Sequence, residues 1–241
     1  MTPQRYRRIR AVLDRRQPDL TVLMDHVNKP HNLSAILRSC DAVGVLRAHV
    51  VTPQRYLKAH RASSASSSKW VELRAHKDLG EALAELRGQG MQIAAAHGSE
   101  RSVDFRALDY CRPTAVVMGA ELSGPSPEVL EAADAHLTVP MVGMVESLNV
   151  SVAAALILYE AQRQRQAAGM YEGPRLDVDT YWRTVFRWGY PKLARRLEEM
   201  GRSYPRLREE DGALLDPPPA GEVPDGQERD GEGGAGQGRG L

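Results

Sequence analysis

The stretch VSVAAALIL at residues 150–158 limits what this chain can fold into more than any other. A helix that is apolar on nearly every side must be buried on nearly every side, and the alanines at 153–155 let another backbone approach closely. The helix therefore belongs in a core. Core packing does not explain what surrounds it in HLTVPMVGMVESLNVSVAAALILYEAQRQR (136–165). A short β-type run at Leu137 and Val139 leads through a turn at 140–143 to a polar loop ending in Ser147, Leu148 and Asn149. Beyond the apolar body come Arg163 and Arg165. A polar loop at the mouth of a buried helix is expected to hold a ligand.

The rest of the chain supplies a sheet for that helix. Residues 21–27 (TVLMDHV) are apolar on both faces at their centre, as a buried parallel strand is. A helix over 33–43 follows, with Leu33, Ile36, Leu37, Cys40 and Val43 on its buried stripe. Asn32 stands where it would cap that helix. Arg38 lies about 9 Å up the axis at ~1.5 Å per residue, and its side chain tilts back toward Asn32. Strands are expected at 47–52, 69–73, 91–96 and 114–118, with helices at 78–87 and 126–134. A loop carrying Ser63, Ser64, Ser66, Ser67 and Ser68 lies between the first two of these strands. Alternation of this kind argues for an α/β domain with a parallel sheet. Helices over 177–188 and 191–200 are expected to dock on the body, Tyr181, Val185 and Trp188 giving the first its apolar stripe.

Charge divides the chain in two. From Glu209 to Leu241 there are nine acidic and two basic residues; residues 1–208 carry 22 acidic and 30 basic, a net of +8. The acidic, glycine- and proline-rich end is expected to be disordered. The basic body suits a polyanion. Its densest cluster is the helix at 4–16, where Tyr6, Ile9, Val12 and Leu13 face inward. Arg5, Arg7, Arg8, Arg10, Arg15 and Arg16 are expected to meet phosphates, as are Arg163 and Arg165. No run approaches the ~18 apolar residues of a membrane span, and no apolar stretch follows the basic N-terminus as in a secretory signal. Two cysteines, Cys40 and Cys111, fit a reducing cytoplasm and no disulfide framework. The seven histidines show no metal-ligand spacing, so no metal is expected. No GxGxxG follows an expected strand, and neither a P-loop nor GxSxG occurs.

Three loops remain, at 26–32, 118–124 and 139–149, each following an expected strand, where open α/β sheets bind ligands. Met118, Val139, Met141, Val142 and Met144 offer apolar surface for a flat ring, while Gly119, Gly124 and Gly143 permit close backbone approach.

PHNLSAILRSCDAVG (30–44), VMGAELSG (117–124) and VPMVGMVESLNVSVAAALILYEAQRQR (139–165) resemble the three motifs of the SPOUT class of RNA methyltransferases. RRQPDLTVLMDHVNKPHNLSAILR (15–38) and AGMYEGP (168–174) resemble its TrmH subgroup, the bacterial tRNA (guanosine-18) ribose 2′-O-methyltransferases. The resemblance spans residues 1–208. It implies a deep trefoil knot in an α/β domain over 21–168, with a basic arm at 1–20 and a helical extension at 169–208. It implies a homodimer packed through the knot and tRNA as partner. It also implies S-adenosylmethionine bound by Met118, Gly119, Val139, Met141, Gly143, Met144, Ser147, Leu148 and Asn149. Arg38, Asn32, Glu121, Ser147 and Asn149 occupy the positions of its functional residues, and Glu146 replaces a common glutamine. Arg38 is the family's proposed activator of the ribose hydroxyl, but a guanidinium does not readily surrender a proton. Its expected work is to clamp a phosphate and stabilise developing alkoxide charge. Asn32 would orient Arg38 or the ribose, and Glu121 and Asn149 would link the loops. Two other readings stand beside this one: a ribosomal-RNA enzyme of the same class, disfavoured by the short stretch before the first strand, and a non-catalytic RNA-binding protein.

Overall fold

The strand β1 (Leu20–Asp25) is buried at all six positions, because it runs through the middle of a sheet covered on both faces. It pairs in parallel with β2 (Arg47–Val51) and with β6 (Thr114–Met118), Val22 lying opposite Val116. The computed structural model describes residues 1–51 and 69–215. The serine cluster at 63–68 and the acidic segment from 216 onward lie outside the described residues. With β3 (Glu72–Ala75), β4 (Gln92–Ala96), β5 (Val103–Asp104) and β7 (Ala135–Thr138), the described sheet has the order β3-β2-β1-β6-β4-β7-β5. Every pair in it is parallel. The α/β expectation holds.

Two apolar layers close the sheet. On one face, α2 (Pro30–Ala42) and α5 (Val150–Ala167) pack Ile36, Leu37, Ala154, Ile157 and Leu158 against Val22, Met24 and Val116. On the other, α3 (Leu79–Gly88) and α4 (Pro127–Ala132) pack Leu83, Leu86 and Val129 against Leu23, Ile93 and Val117. Among the described residues, no helix is long and apolar enough to cross a membrane.

α5 differs from its expected all-round burial. Ala154, Ile157, Leu158 and Ala161 are fully buried, whereas Val152, Leu156 and Tyr159 are 47%, 41% and 53% exposed. One helix has a single face toward a sheet, so its opposite stripe finds no cover within one chain.

The two chain ends pack together. α1 (Pro3–Leu13) lies on α6 (Val178–Gly189), with Tyr6, Ile9, Leu13, Tyr181 and Val185 forming a separate core, and α7 (Pro191–Glu199) continues it through Leu193 and Leu197. The basic arm is thus one half of a docked module. The ordered chain also runs past Glu209: Leu207 bridges Leu214, Gly212 turns at φ +71° against the Tyr6 ring, and Tyr190 Oη donates to its carbonyl.

Arg16 and Arg165, expected on the RNA-facing surface, are fully buried. Arg165 lies below the amino ends of β1 and β6, where several backbone carbonyls converge. Its guanidinium donates to Tyr110 O (2.8 Å), Asp19 O (3.0 Å) and Arg112 O (3.2 Å), and to Asp19 Oδ1 (2.6 Å) and Gln17 Oε1 (3.0 Å). Arg16 reaches Val45 O (2.8 Å), Trp70 O (3.2 Å) and the Asp41 carboxylate, with its guanidinium carbon 5.3 Å from the Trp188 ring centre. Five fixed donors on a planar group suit such carbonyl clusters. Neither side chain is available to a phosphate.

Candidate active site

β1, β6 and β7 deliver three loops to the carboxyl edge of the sheet, and their polar side chains meet there. Asn32 Nδ2 donates to Glu121 Oε1 at 2.7 Å, and Asn149 Nδ2 donates to Asn32 Oδ1 at 3.2 Å. The Lys29 backbone N–H donates to the same glutamate oxygen at 3.4 Å. Beyond Asn149 the chain of contacts reaches Ser151, whose N–H and hydroxyl donate to Asn149 Oδ1 at 2.8 and 2.6 Å. Residues 89 and 117 positions apart are thus joined in one relay.

Local sequence sets each member. Pro30 takes the first position of α2, where its missing N–H costs nothing, so the helix starts before Asn32. Asn32 is therefore in the first turn, with Lys29 at the cap, which corrects its expected capping role. Only 1% of it is exposed. A buried amide needs its partners, and Glu121 and Asn149 supply them. Asn149 is the residue that caps a helix here: its side chain accepts from Ser151 N at the start of α5. Burial of Glu121 opposes its charge, but hydrogen bonds from Asn32 and backbone amides, with the Lys29 charge nearby, outweigh it. Together they hold its carboxyl below the usual range.

The loop carrying Glu121 is closed tightly on itself. A Cβ on Gly119 would lie 1.9 Å from Pro125 N, so no side chain fits there, and Gly124 turns at φ +69° with its N–H on Ala120 O. Met118 and Gly119 are buried beneath this loop, while Val139, Met141 and Leu148 are half-buried. Gly143 and Ser147 are exposed, and Val142 and Met144 are fully so. Among the described residues, no backbone group of 141–148 is paired with another backbone group. The loop's amides and carbonyls are open to a ligand.

Arg38 is exposed two turns up α2 from His31. Both line a cavity of about 570 Å³ together with Pro30, Ser34 and Ala35. The sequence reading does not single out His31; the proline that starts α2 is the signal that places it on the same face as Arg38. Of the expected phosphate contacts, Arg5, Arg7, Arg8 and Arg15 are exposed. Arg10 is half-buried against Tyr181 and Trp182, and Arg163 is exposed but paired with Glu160 at 2.7 Å.

The chain matches the SpoU rRNA Methylase family over residues 19–159 and that family's C-terminal region over 163–217. The tRNA (guanosine(18)-2'-O)-methyltransferase of Escherichia coli (strain K12) is 51% identical over 212 residues, 87% of this chain and 93% of that protein. The protein of the same name from Thermus thermophilus is 55% identical over 187 residues, 78% of this chain and 96% of its own. Among solved structures, the A. aeolicus TrmH/SpoU tRNA modifying enzyme superposes with a TM-score of 0.72 at 43% identity, covering 79% of this chain and 97% of that one. The methyltransferase AviRb from Streptomyces viridochromogenes, in complex with AdoMet, gives 0.53 at 30% identity over 64% and 62% of the two chains.

Proposed function

The chain belongs to the SpoU rRNA methylase family, and from that premise we propose that it transfers a methyl group from S-adenosylmethionine to the ribose 2′-hydroxyl of guanosine-18 in tRNA. The observation that carries this reading is the relay of Glu121, Asn32 and Asn149 at the carboxyl edge of the sheet. It joins the three motifs where a ligand of such a sheet belongs.

The cofactor fits the loops after β6 and β7. The close packing of Gly124 and Pro125 over Gly119 excludes any side chain there and fixes the course of the loop after β6. The unpaired backbone of 141–148 is suited to reading the edge of a base, and Val139, Met141 and Leu148 offer apolar surface beside it. Met118, Gly119, Gly143, Met144, Ser147 and Asn149 complete the proposed binding set. When bound, the sulfonium supplies an electrophilic methyl group.

The residues of this chain then position the acceptor. Arg38 clamps the phosphate next to the ribose and stabilises negative charge developing on the 2′-oxygen, the kind of preorganised electrostatic help that lowers such barriers. Glu121 fixes the Asn32 amide so that Asn32 keeps one orientation toward Arg38 and the ribose. Asn149 ties that amide to the cofactor loop, with Ser147 two residues before it.

Arg5, Arg7, Arg8 and Arg15 supply the phosphate contacts of the tRNA surface; Arg10 and Arg163 contribute from its margin, each already partnered within the chain. Such contacts give affinity more than sequence choice. The working unit is a homodimer: Val152, Leu156 and Tyr159 on α5, with Val142, Met144 and Val145 on its loop, form an exposed apolar surface that a second copy covers. In this reading the C-terminal part of the domain forms the trefoil knot of the family. The setting is the cytoplasm.

Labelled S-adenosylmethionine incubated with the protein and total tRNA or ribosomal RNA tests the reading. Label is expected in tRNA; label in ribosomal RNA alone would overturn it.

A further inference from the structure

The reaction needs a group that accepts the 2′-hydroxyl proton, and the obvious candidates around the relay are unsuited to it. Arg38 holds its proton too tightly. Glu121 Oε1 already accepts from Asn32 and from the Lys29 amide, and those bonds favour its charged, weakly basic form. His26, just after β1, is not among the residues that line the cavity with Arg38.

His31 stands differently. Pro30 starts α2, so His31, Ser34, Ala35 and Arg38 fall at helical spacings of three, four and seven along one face. That face lines the cavity of about 570 Å³. The imidazole is exposed there, and among the described residues it has neither hydrogen bond nor ion pair. It follows directly on Pro30 and precedes Asn32, so the relay that fixes Asn32 also fixes the backbone carrying His31. Arg38 begins about 10 Å further up the axis and leans back toward it.

We propose that His31 is the proton acceptor for the ribose 2′-hydroxyl in this chain, a role that rests on the methyl-transfer reading. His31 takes the hydroxyl proton on a ring nitrogen as the oxygen's electron pair forms the new bond to the methyl carbon. The pair of the broken carbon–sulfur bond stays on sulfur, and the imidazolium then passes its proton to water. The charged groups on the elements joined to it are Lys29 and Arg38 of its own helix and Glu121 of the loop after β6.

The test is the pH–rate profile of His31→Gln beside wild type under single-turnover conditions. Wild type should lose rate toward acid pH. H31Q should be slower by about 10²–10⁴-fold, lack that acid limb, and bind tRNA as wild type does. Imidazole added to His31→Ala should restore part of the rate. Apart from turnover, histidine-labelled protein without cofactor should show the His31 ring resonance moved by a guanosine-containing D-loop oligonucleotide. An H31Q rate within about twofold of wild type with the same acid limb, or a His31 resonance indifferent to the RNA, overturns the proposal while leaving the methyl-transfer reading intact. A wild-type protein that labels no tRNA overturns the reading instead.

Discussion

Asn32 Nδ2 lies 2.7 Å from Glu121 Oε1, although 89 residues separate them, and this one bond joins the start of α2 to the loop after β6. It is charge-assisted and partly shielded, a kind that contributes about 1.5–3 kcal/mol.

Glu121→Gln keeps the shape but removes the charge, and Asn32→Ala leaves the carboxylate without its main donor. Each should slow methyl transfer by about 10–100-fold, the rate equivalent of that bond, with a much smaller effect on tRNA affinity. Because the folded-state pKa of Glu121 is depressed, its contribution is present above the carboxylate's unfolded pKa. It is lost as pH falls through the lowered folded value. Single-turnover rates and acid unfolding curves of wild type and E121Q check both statements: the acid dependence should be shallower in the variant.

Arg165 and Arg163 sit two residues apart on α5 with opposite fates. Arg165→Ala removes five hydrogen bonds and leaves the Asp19 carboxylate without its closest cation, a loss of about 3–5 kcal/mol. Arg163→Ala breaks an exposed pair three residues apart, which water and salt screen to a small contribution. Urea denaturation should separate the two variants clearly, and equal midpoints would contradict the buried placement of Arg165.

On α1, Arg7 and Arg8 point to solvent. Replacing both with alanine should weaken tRNA binding at all sequences alike and reduce the salt slope by about one unit for each phosphate contact removed. Thermal stability should be unchanged. Arg16→Ala should do the reverse, lowering the melting temperature because it empties a buried site.

Leu156 is 41% exposed in the middle of the apolar stripe of α5. Leu156→Glu should convert the proposed dimer to monomer in sedimentation velocity, since a buried unpaired charge costs several kcal/mol. A wild-type protein that sediments as a monomer at working concentration would contradict the dimer.

Much of this is legible in the sequence, and the misses have physical causes. The parallel sheet can be read because strand burial is local, and Asn32, Glu121 and Asn149 stand out only through motifs that resemble those of the family. That Asn32 and Asn149 touch is a matter of packing between elements 117 residues apart, and no periodicity contains it. Sequence reasoning misplaces Arg16 and Arg165 because a helical stripe shows only which way a residue points. It does not show whether a cluster of carbonyls lies beneath to take its guanidinium. Asparagine caps helices well, so Asn32 reads as a cap; Pro30, equally plain in the sequence, moves the start of α2 ahead of it. The apolar circumference of α5 reads as burial on all sides, but one chain covers only one face of it.

The central claim concerns one oxygen atom. A tRNA transcript carrying 2′-deoxyguanosine at position 18 alone should accept no methyl group from S-adenosylmethionine, while a transcript with 2′-deoxyguanosine at another D-loop position is methylated normally. Undiminished methyl incorporation into the position-18 deoxy transcript would contradict the account.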